Sequence, residues 1–306
     1  DVLAVKDLGT IEANAHLLRY DSVHGPFPGR VRTTKTGINI GAGTIRVFAE
    51  RDPANLPWEK LGIDVLLECT GLFTSREAAG KHLEAGAKRV LISAPASGED
   101  ITVVLGVNHN KLRKSHRIVS AASCTTNCLA PVAFVLDRAV GIARGFMTTV
   151  HAYTGDQRLQ DTLHEDLHRA RAAALNIIPT STGAARAVGL VLPALAGKLD
   201  GTALRVPTAN VSLVDLTFTA KKRTTVRQIN DAIVRAANGK LKGILAVNDV
   251  PLVSTDFNHN PASSIFDLTQ TQVVDGRFVR ILSWYDNEWG FANRMADVAV
   301  LLGKLR

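Results

Sequence analysis

Ile118-Val119-Ser120-Ala121-Ala122-Ser123-Cys124-Thr125-Thr126-Asn127-Cys128-Leu129 is the stretch on which the reading of this chain turns. The run Arg117–Ala122 has the composition of a buried strand, and Leu129, Val132, Phe134, Val135 and Val140 continue as a helical pattern. Cys124 therefore falls where a strand hands over to a helix. Unpaired backbone N–H groups and the macrodipole favour an anion at that end. A thiolate is an anion, and such positions lower a cysteine pKa. Ser123, Thr125, Thr126 and Asn127 can cap the helix or donate to a ligand. A second strand-like run, Phe146–Tyr153, carries His151, a candidate base for the thiol. Taken alone, such a pair is more often a buried structural cysteine and a satisfied histidine than a catalytic pair.

A length of 306 residues suggests two domains, and 21% charged with 46% apolar residues is ordinary globular composition. No apolar stretch reaches the ~18 residues of a membrane span, so no membrane partner is expected. Cys69, Cys124 and Cys128 are too few for a disulfide framework and read as a reducing, cytoplasmic compartment. Cys124 and Cys128 stand four apart on one helix face; Cys128 is expected to be a packed cysteine, with a redox pair as the alternative. Net charge is +8, yet the longest basic run is Lys221-Lys222-Arg223, without interleaved aromatics. No specific nucleic acid is expected; phosphorylated small molecules and a dinucleotide account for the balance equally well.

Asp1–Asp7 reads as a buried parallel strand ending in an acid, the position from which a dinucleotide-binding unit bonds the adenosine ribose. A helix over 11–20 follows, then strands near 31–38 and 44–50. Next come an apolar strand over 63–71, a helix from Thr74 and Glu77 (capping-box spacing) to Gly86, and a buried strand Val90–Pro95. Apolar strands alternating with helices predict an α/β fold with a doubly wound parallel sheet, Cys124 following its last strand at the carboxyl edge. Beyond Cys124 the runs 146–153, 203–220, 244–249, 266–274 and 277–285 are longer and alternate, with a hairpin signal at Asp275-Gly276. Helices fit 183–198 and 225–239, the second opening with Thr225 and Gln228 at capping-box spacing. These features predict a second, α+β domain with a mainly antiparallel sheet.

Ser123-Cys124-Thr125-Thr126-Asn127-Cys128-Leu129-Ala130-Pro131, His151-Ala152-Tyr153-Thr154, Ser181-Thr182-Gly183-Ala184-Ala185, Arg205-Val206-Pro207-Thr208 and Ser283–Trp289 occur in that order. Together they resemble the phosphorylating glyceraldehyde-3-phosphate dehydrogenase family, and the resemblance runs from residue 1 to 306. It implies a Rossmann-type first domain over 1–123, completed by a terminal helix within 288–306, and a catalytic domain over 124–287. It implies an NAD-dependent oxidation of a phosphorylated aldehyde, with inorganic phosphate as second substrate. Cys124 would be the nucleophile and His151 its base. Thr154 and Arg205 would bind the substrate phosphate; Ser123, Thr125, Thr182 and Gly183, with Arg169 nearby, would serve the attacking phosphate. Asp7, Arg51, Ser93 and Asn287 would contact the cofactor. The family is homotetrameric.

Several departures bear on these expectations. Ala121 stands where the family commonly has asparagine. Thr162-Leu163 occupies a Leu-Pro position of strictly NAD-using members, and Tyr153–Leu159 is similar to the plastid and cyanobacterial branch, so NADP use stays open. Asp7 favours NAD, because its charge repels a 2′-phosphate. Only six residues precede Asp7, too few for the family's Gly-x-Gly-x-x-Gly turn, so the sequence reads as shorter than the family by about one βα unit. His164-Glu165-Asp166-Leu167-His168 fits a zinc motif without a third ligand, and no metal is expected. The alternatives are an erythrose-4-phosphate dehydrogenase, which the retained Ser181–Ala185 string argues against, and a non-catalytic binding form.

Overall fold

The computed structural model describes residues 1–305. Its first half alternates strands and helices: β1 (Ala4–Lys6), α1 (Ile11–Arg19), β2 (Arg32–Thr33), β3 (Gly37–Asn39), β4 (Thr44–Phe48), α2 (Trp58–Leu61), β5 (Val65–Glu68), α3 (Arg76–Glu84), β6 (Arg89–Ile92), β7 (Ile101–Thr102) and β8 (Ile118–Ser120). The parallel layer expected as one sheet is in two pieces. One has the order β1-β4-β3-β2, the other β5-β6-β8-β7. β1 runs parallel to β4, while β3 and β2 are antiparallel additions; every pair in the second sheet is parallel. Apolar periodicity announces strands but not which strands become neighbours, and β1 and β5 do not pair. Val2, Leu3, Val5 and Leu67 on or beside those strands are exposed. Helix α3 is capped by Ser75, which accepts from Ala78 N; the expected Thr74 cap is one residue early.

The second half holds α4 (Cys124–Ala139), β9 (Ile142–Ala152), β10 (Ile178–Ser181), α5 (Ala184–Val191), β11 (Leu199–Val206), β12 (Ser212–Ala220), α6 (Val226–Asn238), β13 (Leu245–Asn248), β14 (Ser264–Val274), β15 (Phe278–Tyr285) and α7 (Trp289–Lys304). The seven strands form one sheet, β10-β11-β9-β12-β15-β14-β13, antiparallel except for β9 with β11 and β13 with β14. The run 203–220 is two strands rather than one, divided by a turn in which Val211 takes φ 67°. Pro193, which cannot continue a hydrogen-bonded turn, limits α5 to residues 184–191 instead of 183–198. The Thr225/Gln228 capping box on α6 is present, and Asp275 and Gly276 turn the β14–β15 hairpin at φ 49° and 68°.

Helix α4 lies on the sheet through Leu129, Val132 and Leu136, which join Met147, Val214, Leu216, Phe218, Phe266 and Ile281 in the largest core. Met295, Val298 and Leu302 of α7 instead pack on Leu91, Val103 and Val119 of the parallel layer. α7 thus follows the antiparallel sheet in the chain but covers the parallel one.

Candidate active site

Cys124 opens α4 immediately after a sharp turn. Ala122, with φ 59°, occupies the left-handed region that costs a side-chain-bearing residue energy, and it redirects the chain from β8 into the helix. Ser123 caps that helix by accepting from Thr126 N at 3.1 Å. Asn127 donates to Ala121 O at 2.8 Å and Ser123 O at 2.9 Å, which ties the turn to the first helical turn. Sequence reading located the strand-to-helix junction but not the strained residue, since nothing in alanine announces a positive φ.

His151 reaches the same point from β9. Its Nε2 lies 3.6 Å from Cys124 Sγ, and its Nδ1 is 2.6 Å from Ala152 O. Arg205 Nη1 is also 3.2 Å from Nδ1, but it donates to that same carbonyl, and the carbonyl, which only accepts, is the closer neighbour. Nδ1 therefore carries the proton and Nε2 presents a lone pair to the thiol. Burial pushes His151 down to about 4, and the nearby charge of Arg205 acts in the same direction. Burial also pushes the Cys124 thiol up, against the opposing pull of Thr125, Arg205 and the helix N–H groups. The resting pair is accordingly a thiol beside a neutral imidazole. The lowered pKa expected from the helix N-terminus is offset by desolvation, and the thiolate arises by proton transfer to Nε2. Cys128, one turn on, is fully buried against Ser264 and pushed up to about 12, a packed residue as expected.

Tyr285 was legible only as part of a string. Its hydroxyl lies 2.8 Å from Thr125 Oγ1 and 2.9 Å from Thr149 Oγ1. Thr149 donates to Leu213 O, so it accepts from Tyr285, whose lone pairs face Thr125. The ring stands edge-on to His151, with centroids 5.9 Å apart. Tyr285 thereby links α4 and β9 to its own strand β15 beside the thiol and imidazole, and Thr149 carries the link on to β12.

Two clusters of hydrogen-bond donors adjoin the pair. Arg205 Nη1 donates to Ala152 O at 3.1 Å and Thr154 Oγ1 at 3.2 Å, while its buried Nε has no protein partner. A buried guanidinium N–H without an acceptor is costly unless a ligand supplies one. On the other side, Thr126 Oγ1 bonds both Ser123 Oγ at 2.8 Å and Ala184 O at 3.3 Å, which holds the N-termini of α4 and α5 together. Gly183 is the N-cap residue of α5; Thr182 just ahead of it accepts from Ala184 N at 3.2 Å, and a Cβ added at Gly183 would meet nothing within 4 Å. Arg169 donates to Thr180 at 3.0 Å and Asp156 at 2.8 Å, and its charge is felt at Arg205.

The expected cofactor residues are more dispersed. Lys6 pairs with Phe48 in parallel register, so Asp7 and Arg51 leave the same carboxyl edge; both are exposed, and Asp7 Oδ1 accepts from Gly9 N at 2.7 Å. Ser93 follows β6, with its N–H on Glu68 O at 3.0 Å. Asn287 is buried and accepts from Ser212 Oγ at 2.8 Å, the same hydroxyl that accepts from Ala152 N. The structure therefore brings Asn287 to the thiol–imidazole pair and leaves Asp7 and Arg51 on a different sheet. His164–His168 is not helical; His164 is engaged by Asp156 and by Asp166 N, so the two imidazoles share no helix face.

This geometry defines a class: an enzyme with a thiol–imidazole pair among arginine and hydroxyl donors, set at the carboxyl edge of a parallel α/β layer. The family described as "Glyceraldehyde 3-phosphate dehydrogenase, C-terminal domain" matches residues 123–287, and "Glyceraldehyde 3-phosphate dehydrogenase, NAD binding domain" matches residues 1–76. The chain is 65% identical over 305 residues to the glyceraldehyde-3-phosphate dehydrogenase of Xanthobacter flavus, spanning 100% of this chain and 91% of the relative. It is 61% identical to that of Cereibacter sphaeroides over 305 residues, with the same coverage. With that of Geobacillus stearothermophilus it shares 55% over 303 residues, 99% of this chain and 90% of the relative. The chain belongs to the glyceraldehyde 3-phosphate dehydrogenase family.

Proposed function

We propose that the protein oxidises glyceraldehyde 3-phosphate to 1,3-bisphosphoglycerate with NAD and inorganic phosphate, through a thioester on Cys124. The observation that carries the reading is Cys124 Sγ at 3.6 Å from a lone-pair-bearing His151 Nε2. Cys124 adds to the aldehyde carbon while His151 relays the thiol proton to the carbonyl oxygen, giving a hemithioacetal. His151 then takes the hydroxyl proton as hydride departs, and a thioester remains. NAD, when bound, supplies the hydride acceptor; Asp7, Arg51, Ser93 and Asn287 are the residues that would hold it, and Asn287 is already fixed by Ser212 beside the strand of His151. Phosphate attack frees the thiolate, which recovers its proton from His151. Arg205, with its unpartnered Nε, and Thr154 suit the substrate phosphate. Ser123, Thr125, Thr182 and Gly183 at the paired helix N-termini, with Arg169, suit the attacking phosphate.

The domain division 1–123 and 124–287, with 288–306 completing the first, belongs to the same reading and is supported by the packing of α7 on the parallel layer. So does a homotetramer: Leu159, Leu163, Leu167, Leu175 and Ile177, in one loop, are each at least 68% exposed, an apolar surface suited to another copy. Among the described residues no helix is long and apolar enough to cross a membrane. A cytoplasmic location fits the free cysteines. The exposed Asp7 carboxylate favours NAD over NADP. NADH formation from glyceraldehyde 3-phosphate, dependent on phosphate or arsenate, tests the reading. Turnover without either anion supports a water-cleaved thioester, as in the erythrose-4-phosphate branch. No turnover with any nucleotide supports the non-catalytic form.

A further inference from the structure

Glu68 ends β5 with a carboxylate only 4% exposed, and no step of the proposed reaction uses it. It is held from two sides. Oε1 accepts from Thr70 N at 2.8 Å and from the Thr70 hydroxyl; Oε2 lies 3.0 Å from His82 Nε2. His82, buried on α3, receives Trp58 Nε1–H on its Nδ1 at 3.1 Å. An indole N–H can only donate, so Nδ1 is a lone pair, the imidazole proton sits on Nε2, and Nε2 donates to Glu68. The tryptophan thereby sets the tautomer of the histidine, and the chain Trp58 to His82 to Glu68 is satisfied in one arrangement only.

The held segment is a surface turn. Thr70 Oγ1 accepts from Leu72 N at 3.1 Å, Gly71 sits at φ 74°, and Leu72 is 76% exposed. Glu68 O accepts from Ser93 N, which fastens the turn after β6 to the same point. Both turns lie at the carboxyl edge of the parallel strands that lead to Cys124, where α/β folds bind their ligands. Burying a carboxylate costs several kcal/mol before its partners repay it, a large outlay for an exposed turn with no further duty.

We infer that Glu68, fixed by His82 and Trp58, is a positioning residue for NAD: it sets the Thr70–Leu72 backbone as a wall of the pocket beside Ser93. The inference rests on the NAD-dependent reading above. Glu68→Gln is nearly isosteric but replaces one acceptor oxygen with a donor. Whichever way the amide turns, it meets a donor, either Thr70 N or His82 Nε2–H. His82 can yield only by moving its proton to Nδ1, where Trp58 blocks it. Trp58→Phe removes that block.

The test compares wild type, E68Q, W58F and the W58F/E68Q double variant by NAD calorimetry, steady-state kinetics, melting temperature and amide exchange at Thr70 and Leu72. E68Q is expected to weaken NAD binding and raise the KM for NAD by roughly tenfold, leave kcat at saturating NAD within about twofold, and speed exchange at Thr70. The double variant should bind NAD more tightly than E68Q although its melting temperature is lower, a recovery that a merely structural role would not produce. A wild type that binds NAD, with E68Q equal to it or the double variant no better than E68Q, overturns the inference alone. A wild type that fails to bind NAD overturns the functional reading and the inference with it.

Discussion

The two halves of the molecule are organised in opposite ways. Around Cys124, one seven-stranded sheet, one helix and one continuous core hold every reacting group by at least one hydrogen bond. On the parallel side the layer is in two sheets, apolar side chains of β1 and β5 are exposed, and Asp7 and Arg51 stand in solvent. Bond making needs groups fixed to within fractions of an ångström, whereas a long dinucleotide is held by many separate contacts. The catalytic half is therefore prearranged, whereas the cofactor residues Asp7 and Arg51 stand apart from it in solvent.

Single substitutions probe that contrast, and the largest effect is expected in the wired half. Cys124→Ser should leave the fold intact and reduce turnover below about 1% of wild type, a loss of more than ~2.7 kcal/mol, because a hydroxyl gives up its proton to an imidazole far less readily than a thiol and is the weaker nucleophile; steady-state rates check this. The His151 burial makes stability depend on acid. Its folded value of about 4 lies below the ordinary 6.5, so the unfolded chain binds the extra proton between those limits. The contribution is complete above pH 6.5 and lost as pH falls to about 4, amounting to about 3 kcal/mol. Denaturant titrations across that window should show the slope in wild type and a shallower one in His151→Asn.

Arg205→Leu should come next, raising the KM for the phosphorylated aldehyde by roughly thirtyfold, about 2 kcal/mol, while an aldehyde lacking the phosphate is affected far less. Arg51→Ala should be the smallest, changing NAD affinity by less than about threefold, since an exposed charge is screened by solvent; calorimetry reads it directly. A large loss at Arg51 beside a small one at Arg205 would reverse the contrast between the halves.

The sequence carried the strand-to-helix junction, the thiol and the imidazole, because each is a residue type at a chemically meaningful place, whereas Thr154, Thr182 and Arg205 stood out only through the family resemblance. It also carried the α6 capping box and the Asp275-Gly276 hairpin, whose signals are local. It did not carry the division of 203–220 at Val211, since the place where a strand breaks and re-pairs is chosen by tertiary contact. Nor did it carry the Ala122 strain or the Tyr285 links to Thr125 and Thr149, which exist only once four distant segments meet. The direction of the Cys124 shift was missed for the same reason: a helix N-terminus is visible in a sequence, whereas burial of the sulfur is not.

The central claim is that Cys124 and His151 act as one proton-sharing unit, and the pH dependence of Cys124 alkylation by iodoacetamide tests it most directly. The reaction should be followed in wild type and in His151→Asn, with peptide mapping to isolate Cys124 from Cys69. The account predicts that the variant's profile moves to higher pH and that its rate at neutral pH falls, because burial keeps the thiol protonated without an adjacent base. Superimposable profiles would contradict it, and His151 would then be a packed neighbour of the sulfur and not its partner.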